Sequence, residues 1–180
     1  MDFWSTRLRW HIVHPLWPHA PDTGFDPPDF PTPPMTPEIF IADTDSEIEA
    51  CFPAFSALRP HLEQAGFLAQ VRRQQAQSYR ILALREAGTI KSAAGFRTGE
   101  FLAWGKVLYI DDLTTLPEAR AQGYAGALLD WLIEHARAKD CKAVHLDSGY
   151  ARHAAHRLYL NKGFRLSSHH FALEFARNES

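Results

Sequence analysis

The chain has few of the features that mark a disulfide scaffold, a membrane protein or a polyanion-binding protein. Its two cysteines, Cys51 and Cys141, are too few for a disulfide framework and have no metal-ligand spacing. No apolar run approaches the roughly 18 residues of a membrane-spanning helix. The formal net charge is −2, so no positive excess would attract nucleic acid or an anionic membrane. We therefore expect neither of these partners, and we expect a reduced, cytoplasmic setting.

Two other familiar signals are missing. The N-terminus does not have the pattern of a secretory signal, because Arg7, Arg9 and His11 interrupt any apolar stretch and no small-residue cleavage site follows. The ten histidines do not form a metal-binding motif either. His153 and His156 are three residues apart on a predicted helix, but neither an HExxH motif nor a cysteine pair accompanies them. We expect no metal.

Proline is concentrated at one end of the chain. Nine of the twelve prolines lie in residues 1–37, and each removes a backbone donor and fixes φ. We therefore predict that residues 1–34 form an extended or disordered arm. Two interpretations stay open, namely a docking arm carrying Trp4, Trp10 and Trp17, or an extension ahead of a true start at Met35, where the folded pattern begins. Residues 35–180 form the predicted domain.

Apolar residues are plentiful, at 46% of the chain, which is enough for the core of one domain. After Met35, hydrophobic patterns of period 2 and period 3.6 alternate, with Gly88 and Gly99 where hairpin turns would fall. This order predicts an α/β fold around one sheet. The predicted elements are strand 39–42, a helix from the caps at 43–45 to about Leu58, helix 62–77, strands 78–84, 89–96 and 106–116, helix 123–139, strand 143–148, helix 153–162 and a last strand 168–175.

The junction between strand 106–116 and helix 123–139 can hold phosphate. The first N–H groups of a helix have no intrahelical partner, and the helix dipole adds partial positive charge there. Gly123 and Gly126 lack side chains, so a pyrophosphate could approach the backbone. A purely structural strand–turn–helix remains the alternative. A Walker-type loop is disfavoured because no Lys or hydroxyl follows Gly126, and a Rossmann fingerprint because one glycine is missing.

Two motifs together resemble the GNAT superfamily of N-acyltransferases. Its hallmark after the fourth strand is Gln/Arg-x-x-Gly-x-Gly/Ala, which residues 120–125 match as RAQGYA. Its later helix ends Leu-Tyr-x-x-x-Gly-Phe, which residues 158–164 match as LYLNKGF. The resemblance covers about residues 36–176 and implies a mixed, mostly antiparallel sheet flanked by helices on both faces. One departure is Arg152, which stands where many members have an Asn that helps to hold coenzyme A.

The resemblance implies acetyl-CoA as co-substrate and no metal. The backbone of Leu113 and Thr115 would pair with the pantetheine like an added strand. Arg120 would reach a phosphate, or would simply be a solvated surface side chain. The pyrophosphate would be held by backbone amides in the loop and first helical turn, at Gln122, Gly123, Tyr124, Ala125, Gly126 and Ala127.

Two residues are candidates for the chemistry. Tyr159 would protonate the leaving thiolate, and its alternative role is packing on the apolar face of its helix. Strand period places Tyr109, Asp111, Leu113 and Thr115 on one face, with Asp112 pointing away. Asp111 would then be the nearest base for the amine, and its alternative role is a charge at a sheet edge.

The resulting prediction is an N-acetyltransferase that moves acetyl from acetyl-CoA to an amine of a small molecule or protein by direct attack in a ternary complex. The alternatives are a non-catalytic acyl-CoA-binding or regulatory module on the same fold, and an interaction protein that acts through its Trp-rich arm. Association as a homodimer is left open. We expect substrate contacts from loops around 58–68 and 97–106, which carry Arg59, His61, Glu100 and Trp104.

Overall fold

The structure is a computed structural model that describes residues 36–175. The predicted arm 1–34, its three tryptophans and the boundary at Met35 lie outside the described residues. Within residues 36–175, no helix is long and apolar enough to cross a bilayer.

A single five-stranded sheet carries the domain. The strands lie in sequence order, and every neighbouring pair is antiparallel except β4 and β5, which are parallel. The prediction of a mixed, mostly antiparallel sheet is therefore confirmed. The strands are β1 Glu38–Ile41, β2 Tyr79–Glu86, β3 Thr89–Phe101, β4 Gly105–Thr115 and β5 Ala143–Leu146.

Helices cover both faces of this sheet. Ile48 of α1, Phe55 of α2 and Phe67 of α3 pack against one face, in a core shared with Ile81 and Ala93 of the sheet. On the other face, α4 buries its predicted apolar stripe, and α5 packs beside it. The helices are α1 Asp45–Ala50, α2 Phe52–Leu58, α3 Gln64–Gln75, α4 Tyr124–Ala138 and α5 His153–Asn161, with a 3-10 turn at Pro117–Ala119.

The predicted helix from the caps at 43–45 to Leu58 is two helices. Thr44 begins α1 with a capping box, in which its side chain accepts from the Glu47 amide and Glu47 accepts from the Thr44 amide. Pro53 stands in the first turn of α2, where a backbone N–H has no intrahelical acceptor, so its absence loses no hydrogen bond. In the interior of a helix continuing from α1, the same proline would remove a backbone hydrogen bond. The chain therefore restarts at Phe52.

Two predictions about strands are wrong. Gly88 lies in the β2–β3 turn at φ +75, but Gly99 does not turn the chain. It pairs with Val107 inside the β3–β4 ladder, and the turn falls at 102–104 before Gly105 at φ +68. Residues 168–175 form no strand, although Phe171, Leu173 and Phe175 alternate as in one. These three side chains are exposed, and period 2 alone cannot supply the partner edge that a strand requires.

Candidate active site

Strand β4 leaves part of its backbone unpaired. Its parallel ladder with β5 ends at Ile110 and Leu146, but β4 runs on to Thr115 with β3 on its other side. In the described part of the chain, residues 111–115 thus have no strand neighbour on the β5 side. Leu113 and Thr115 lie on this open stretch, as the proposed pairing with pantetheine requires. The Leu113 side chain packs in the core under α4, so the side chain can stabilise the fold while the backbone stays available for hydrogen bonds.

The turn that follows β4 is shaped for glycine. Gly123 is the N-cap of α4 and has a φ of +85, a left-handed backbone conformation that residues with a Cβ rarely adopt. Ala121 also has a positive φ, of 61. The first intrahelical bond joins the Ala127 amide to the Gly123 carbonyl at 3.0 Å, so the amides of residues 124–126 precede the helical ladder. A Cβ added at Gly123 would meet no atom within 4 Å, which leaves open space above this turn.

Side-chain hydrogen bonds hold the turn between β4 and α4 in place. The Tyr124 ring is buried, and its hydroxyl donates to the Glu86 carboxylate at 2.5 Å, with the Gln122 carbonyl oxygen at 2.8 Å. The Tyr124 side chain therefore points into the protein, whereas Gln122 is exposed. Arg120 is exposed beside the turn.

Helix α5 packs beside the first turn of α4. A Cβ on Gly126 would lie 3.8 Å from both Leu158 and Lys162, an ordinary contact distance. The Lys162 ammonium forms an ion pair with Asp130 at 2.6 Å, which ties the end of α5 to α4. Gly126 is therefore not required by crowding within the protein.

Tyr159 reaches the same region from α5. It packs in the cluster that includes Leu113 and Ala127, with its ring 6.0 Å from that of Phe164. No described residue hydrogen-bonds to its hydroxyl. Burial raises the pKa of Tyr159, and the nearby Arg152 charge partly opposes this. The hydroxyl is therefore protonated at neutral pH, as a proton donor must be.

A β-bulge in β4 changes the geometry expected from strand period. Gly95 pairs with Asp112 and Phe96 with Ile110, so Asp111 is the extra residue. Asp111 and Asp112 consequently line one cavity together, whereas Leu113 packs on the opposite face of the sheet. The expectation that Asp111 and Leu113 share a face, with Asp112 pointing away, is wrong because the alternation slips by one residue at the bulge.

Each of these carboxylates is paired with an arginine. Arg97 donates through Nε and Nη2 to Asp111 Oδ2, at 2.8 and 2.6 Å. Arg59 contacts Asp112 Oδ1 through the same two nitrogens, at 2.9 and 2.8 Å. Burial raises the pKa of Asp111 above its ordinary value, and the bond from Arg97 works against this shift. A carboxylate with a raised pKa is a better base than a solvated one.

The cavity has a volume of about 330 Å³ and lies between the α2–α3 side and β4. Phe55, Phe67 and Val71 form apolar walls, and Tyr79 forms part of the lining beside Arg97. The bulge joins the cavity to the unpaired stretch of β4, since both begin at Asp111. Asp111 therefore belongs both to the cavity lining and to the unpaired stretch of β4.

The residues expected to contact substrate divide between this cavity and other parts of the structure. Arg59 and His61 line the cavity, but Glu100 and Trp104 are not among its lining residues. Trp104 packs on His145 with ring centroids 4.6 Å apart. Sequence reasoning included Arg97 only as the first residue of the expected range 97–106 and missed Tyr79; both lie in strands. A glycine inside a strand, such as Gly95, often marks a bulge, but it does not reveal which residue of the partner strand is the extra one.

Within residues 36–175, no group of three or more His, Cys, Asp or Glu side chains is placed to hold a metal ion. His153 and His156 contact each other edge to face, at 6.3 Å between ring centroids.

Comparison with known proteins bears on this arrangement. A model described as "Acetyltransferase (GNAT) family" matches residues 41–164. The uncharacterized N-acetyltransferase YhdJ of Bacillus subtilis is 34% identical over 122 residues, which span 67% of this chain and 86% of that protein. The aminoalkylphosphonate N-acetyltransferase of Salmonella typhimurium is 36% identical over 62 residues, 34% of this chain and 40% of that protein.

A solved structure shows the same fold. An aminoglycoside N-acetyltransferase in complex with CoA superposes with a TM-score of 0.66, covering 81% of this chain and 97% of the other. The two are 16% identical, so the likeness concerns the fold alone.

Proposed function

Because this chain belongs to the GNAT family of acetyltransferases, we propose that it transfers an acetyl group from acetyl-CoA to an amine by direct attack within a ternary complex. The observation that carries this proposal is the unpaired stretch of β4 from Asp111 to Thr115, which runs from a cavity lined by Asp111 and Asp112 on one face toward the first turn of α4 on the other.

Coenzyme binding is assigned to backbone groups. Leu113 and Thr115 would pair with the pantetheine amides as a neighbouring strand would. The amides from Gln122 to Ala127 would hold the pyrophosphate, with Gly123 supplying the left-handed turn that aims them outward. Arg120, exposed beside the loop, would add a positive charge.

The transfer needs one base and one acid. Asp111 would take a proton from the ammonium of the acceptor, which frees the nitrogen lone pair to attack the thioester carbon. The new C–N bond forms a tetrahedral intermediate, and its collapse breaks the C–S bond. Tyr159 would then give its proton to the departing thiolate. The Tyr159 phenolate would take the extra proton that the attacking nitrogen still carries, which leaves a neutral amide and a free thiol. Arg97 would position Asp111 through its two bonds to Oδ2.

The named relatives support an amine as acceptor. The Bacillus relative is described as an N-acetyltransferase and the Salmonella relative as acting on aminoalkylphosphonates, which are amines. Both descriptions concern transfer to nitrogen, and the cavity proposed for the acceptor is lined by the two carboxylates Asp111 and Asp112.

Release of free thiol from acetyl-CoA tests the proposal, with a panel of amines as acceptors. Asp111→Asn keeps the shape and removes the base, so we expect kcat/KM to fall by about 10²–10⁴-fold while coenzyme affinity stays within a few-fold. Asp45→Asn is the matched control, because Asp45 also pairs with an arginine, Arg72, but does not line the cavity. Equal activity of the Asp111→Asn variant and the wild type would remove Asp111 from the mechanism.

The pH profile supplies a second test. Asp111 must be ionised to act as base, so kcat/KM should rise with pH through its pKa. Since burial raises that pKa, the acidic limb should lie above the ordinary value of 3.8 and should disappear in Asp111→Asn.

A further inference from the structure

We propose that the acceptor is a small zwitterion, an amine that also carries a carboxylate or comparable anionic group, bound with its ammonium at Asp111 and its anion at Arg59. This inference rests on the proposed function and adds the class of substrate. It comes from the balance of charges in the cavity and from the hydrogen-bonding groups that remain unused there.

Each of the two arginines has hydrogen-bond donors that are not used within the described residues. Arg97 uses Nε and Nη2 to contact Oδ2 of Asp111, and Arg59 uses the same two nitrogens to contact Oδ1 of Asp112. A guanidinium has five N–H donors, and in the described chain neither Nη1 has a partner. Arg59 is the more accessible of the two, since its side chain is 46% exposed and that of Arg97 is 30% exposed. Arg59 is therefore the better placed of the two for an incoming anion.

Each of the two carboxylates also has one oxygen that accepts no hydrogen bond from the described residues. No described residue donates to Oδ1 of Asp111 or to Oδ2 of Asp112. Their side chains are 21% and 17% exposed, so these oxygens are partly removed from water. An ammonium group could therefore bind one of them without breaking an existing ion pair.

Charge balance favours a ligand with both signs. The cavity holds two guanidiniums and two carboxylates, which cancel, and His61 also lines it. A simple amine would add one positive charge without a counter-ion of its own to this balanced set, and uncompensated charge in a partly buried site is costly. A zwitterion brings no net charge and places each of its charges beside an opposite one.

Size and walls favour a small molecule. About 330 Å³ is at the lower end for ligand cavities, which typically span roughly 300–1,000 Å³. Phe55, Phe67 and Val71 bound it with apolar side chains, which suits a short aliphatic spacer between the two charged groups of the ligand.

The experiment compares γ-aminobutyrate with γ-aminobutyramide, which differ only in whether the far group is charged. Thiol release should give a kcat/KM for the acid at least tenfold above that for the amide. Arg59→Gln should lower kcat/KM for the acid and bring the ratio of the acid to the amide close to one. Arg72→Gln, which removes a surface arginine paired with Asp45 outside the cavity, should keep the preference. If Arg59→Gln does not fold, Arg59→Lys keeps the charge and should retain part of the preference.

The outcomes separate the two proposals. Equal turnover of acid and amide would overturn the zwitterion assignment and leave the acetyltransferase standing. Turnover of neither, with acetyl-CoA bound, would count against the acetyltransferase. Calorimetry of each ligand on the acetyl-CoA complex then decides the zwitterion question without turnover. Tighter binding of the acid, lost in Arg59→Gln, supports it, and equal or absent binding of both overturns it.

Discussion

Replacing Tyr159 by Phe removes one hydroxyl and keeps the ring that packs on Phe164. If the hydroxyl protonates the thiolate, its loss should cost about 10²-fold in kcat, the lower end for general acid catalysis because a thiolate is a good leaving group. That factor corresponds to about 2.7 kcal/mol of activation free energy. Coenzyme affinity should stay within a few-fold.

The surroundings of the Tyr159 hydroxyl also predict how the substitution affects stability. Because no described residue hydrogen-bonds to the hydroxyl, its removal should change the free energy of unfolding by no more than about 0.5 kcal/mol. Burial raises the Tyr159 pKa, so any alkaline limb that it causes should lie above pH 10.0 and vanish in the variant.

Thiol release at saturating acetyl-CoA gives kcat, calorimetry gives coenzyme affinity and a thermal scan gives stability. Tyr150→Phe is the control, since that ring is 77% exposed and its hydroxyl contacts only His169 among the described residues. An unchanged kcat together with a clearly lower Tm would show that Tyr159 is a packing residue, and the acid would have to be sought elsewhere.

Three further predictions concern the coenzyme turn, the N-terminal arm and the buried thiol. Gly123→Val should weaken acetyl-CoA binding, measured by calorimetry, at least tenfold, or about 1.4 kcal/mol. Gly88→Ala changes another left-handed glycine, in the β2–β3 turn, and controls for backbone strain. Equal acetyl-CoA affinity of the Gly123→Val variant and the wild type would exclude the Gly123 turn from the site. A chain beginning at Met35 should keep its Tm and its acetyl-CoA affinity in the same assays, and a Tm lowered by several degrees would show that the arm contributes to stability. Burial raises the pKa of Cys51 to about 12, so iodoacetamide should label Cys141 well before Cys51 in the native protein by mass spectrometry, and faster labelling of Cys51 would contradict its burial. Above pH 9.0 the unfolded thiol ionises while the folded one does not, so this cysteine should lower stability as pH rises.

Sequence pattern predicted the elements where local chemistry decides them. The cap at Thr44, the apolar stripe of α4 and the left-handed turn at Gly88 depend on neighbouring residues, which the sequence displays. The strand predicted at 168–175 failed because a strand needs a partner edge, and period 2 does not reveal whether one exists. Gly99 failed for the related reason that a glycine allows a turn without requiring one.

The candidate site divides in the same way. The proposed coenzyme turn belongs to a contiguous motif, and Gly123 in it has a left-handed conformation. The acceptor cavity is assembled from Arg59, Arg97 and the two aspartates, which meet only after β3 and β4 pair with a bulge. A one-residue slip in that pairing decides which face Asp112 joins, and no local pattern around Asp112 encodes it.

The contact between Tyr79 and Gly95 limits how this cavity could change in evolution or in the laboratory. A Cβ on Gly95 would lie 1.9 Å from the Tyr79 hydroxyl oxygen and 2.5 Å from its Cζ, so even alanine cannot coexist with the present ring. Positions 79 and 95 therefore form a coupled pair in which a smaller residue at 79 must come first and a side chain at 95 second. A library that varies the two together can reach cavity shapes that neither position reaches through single substitutions.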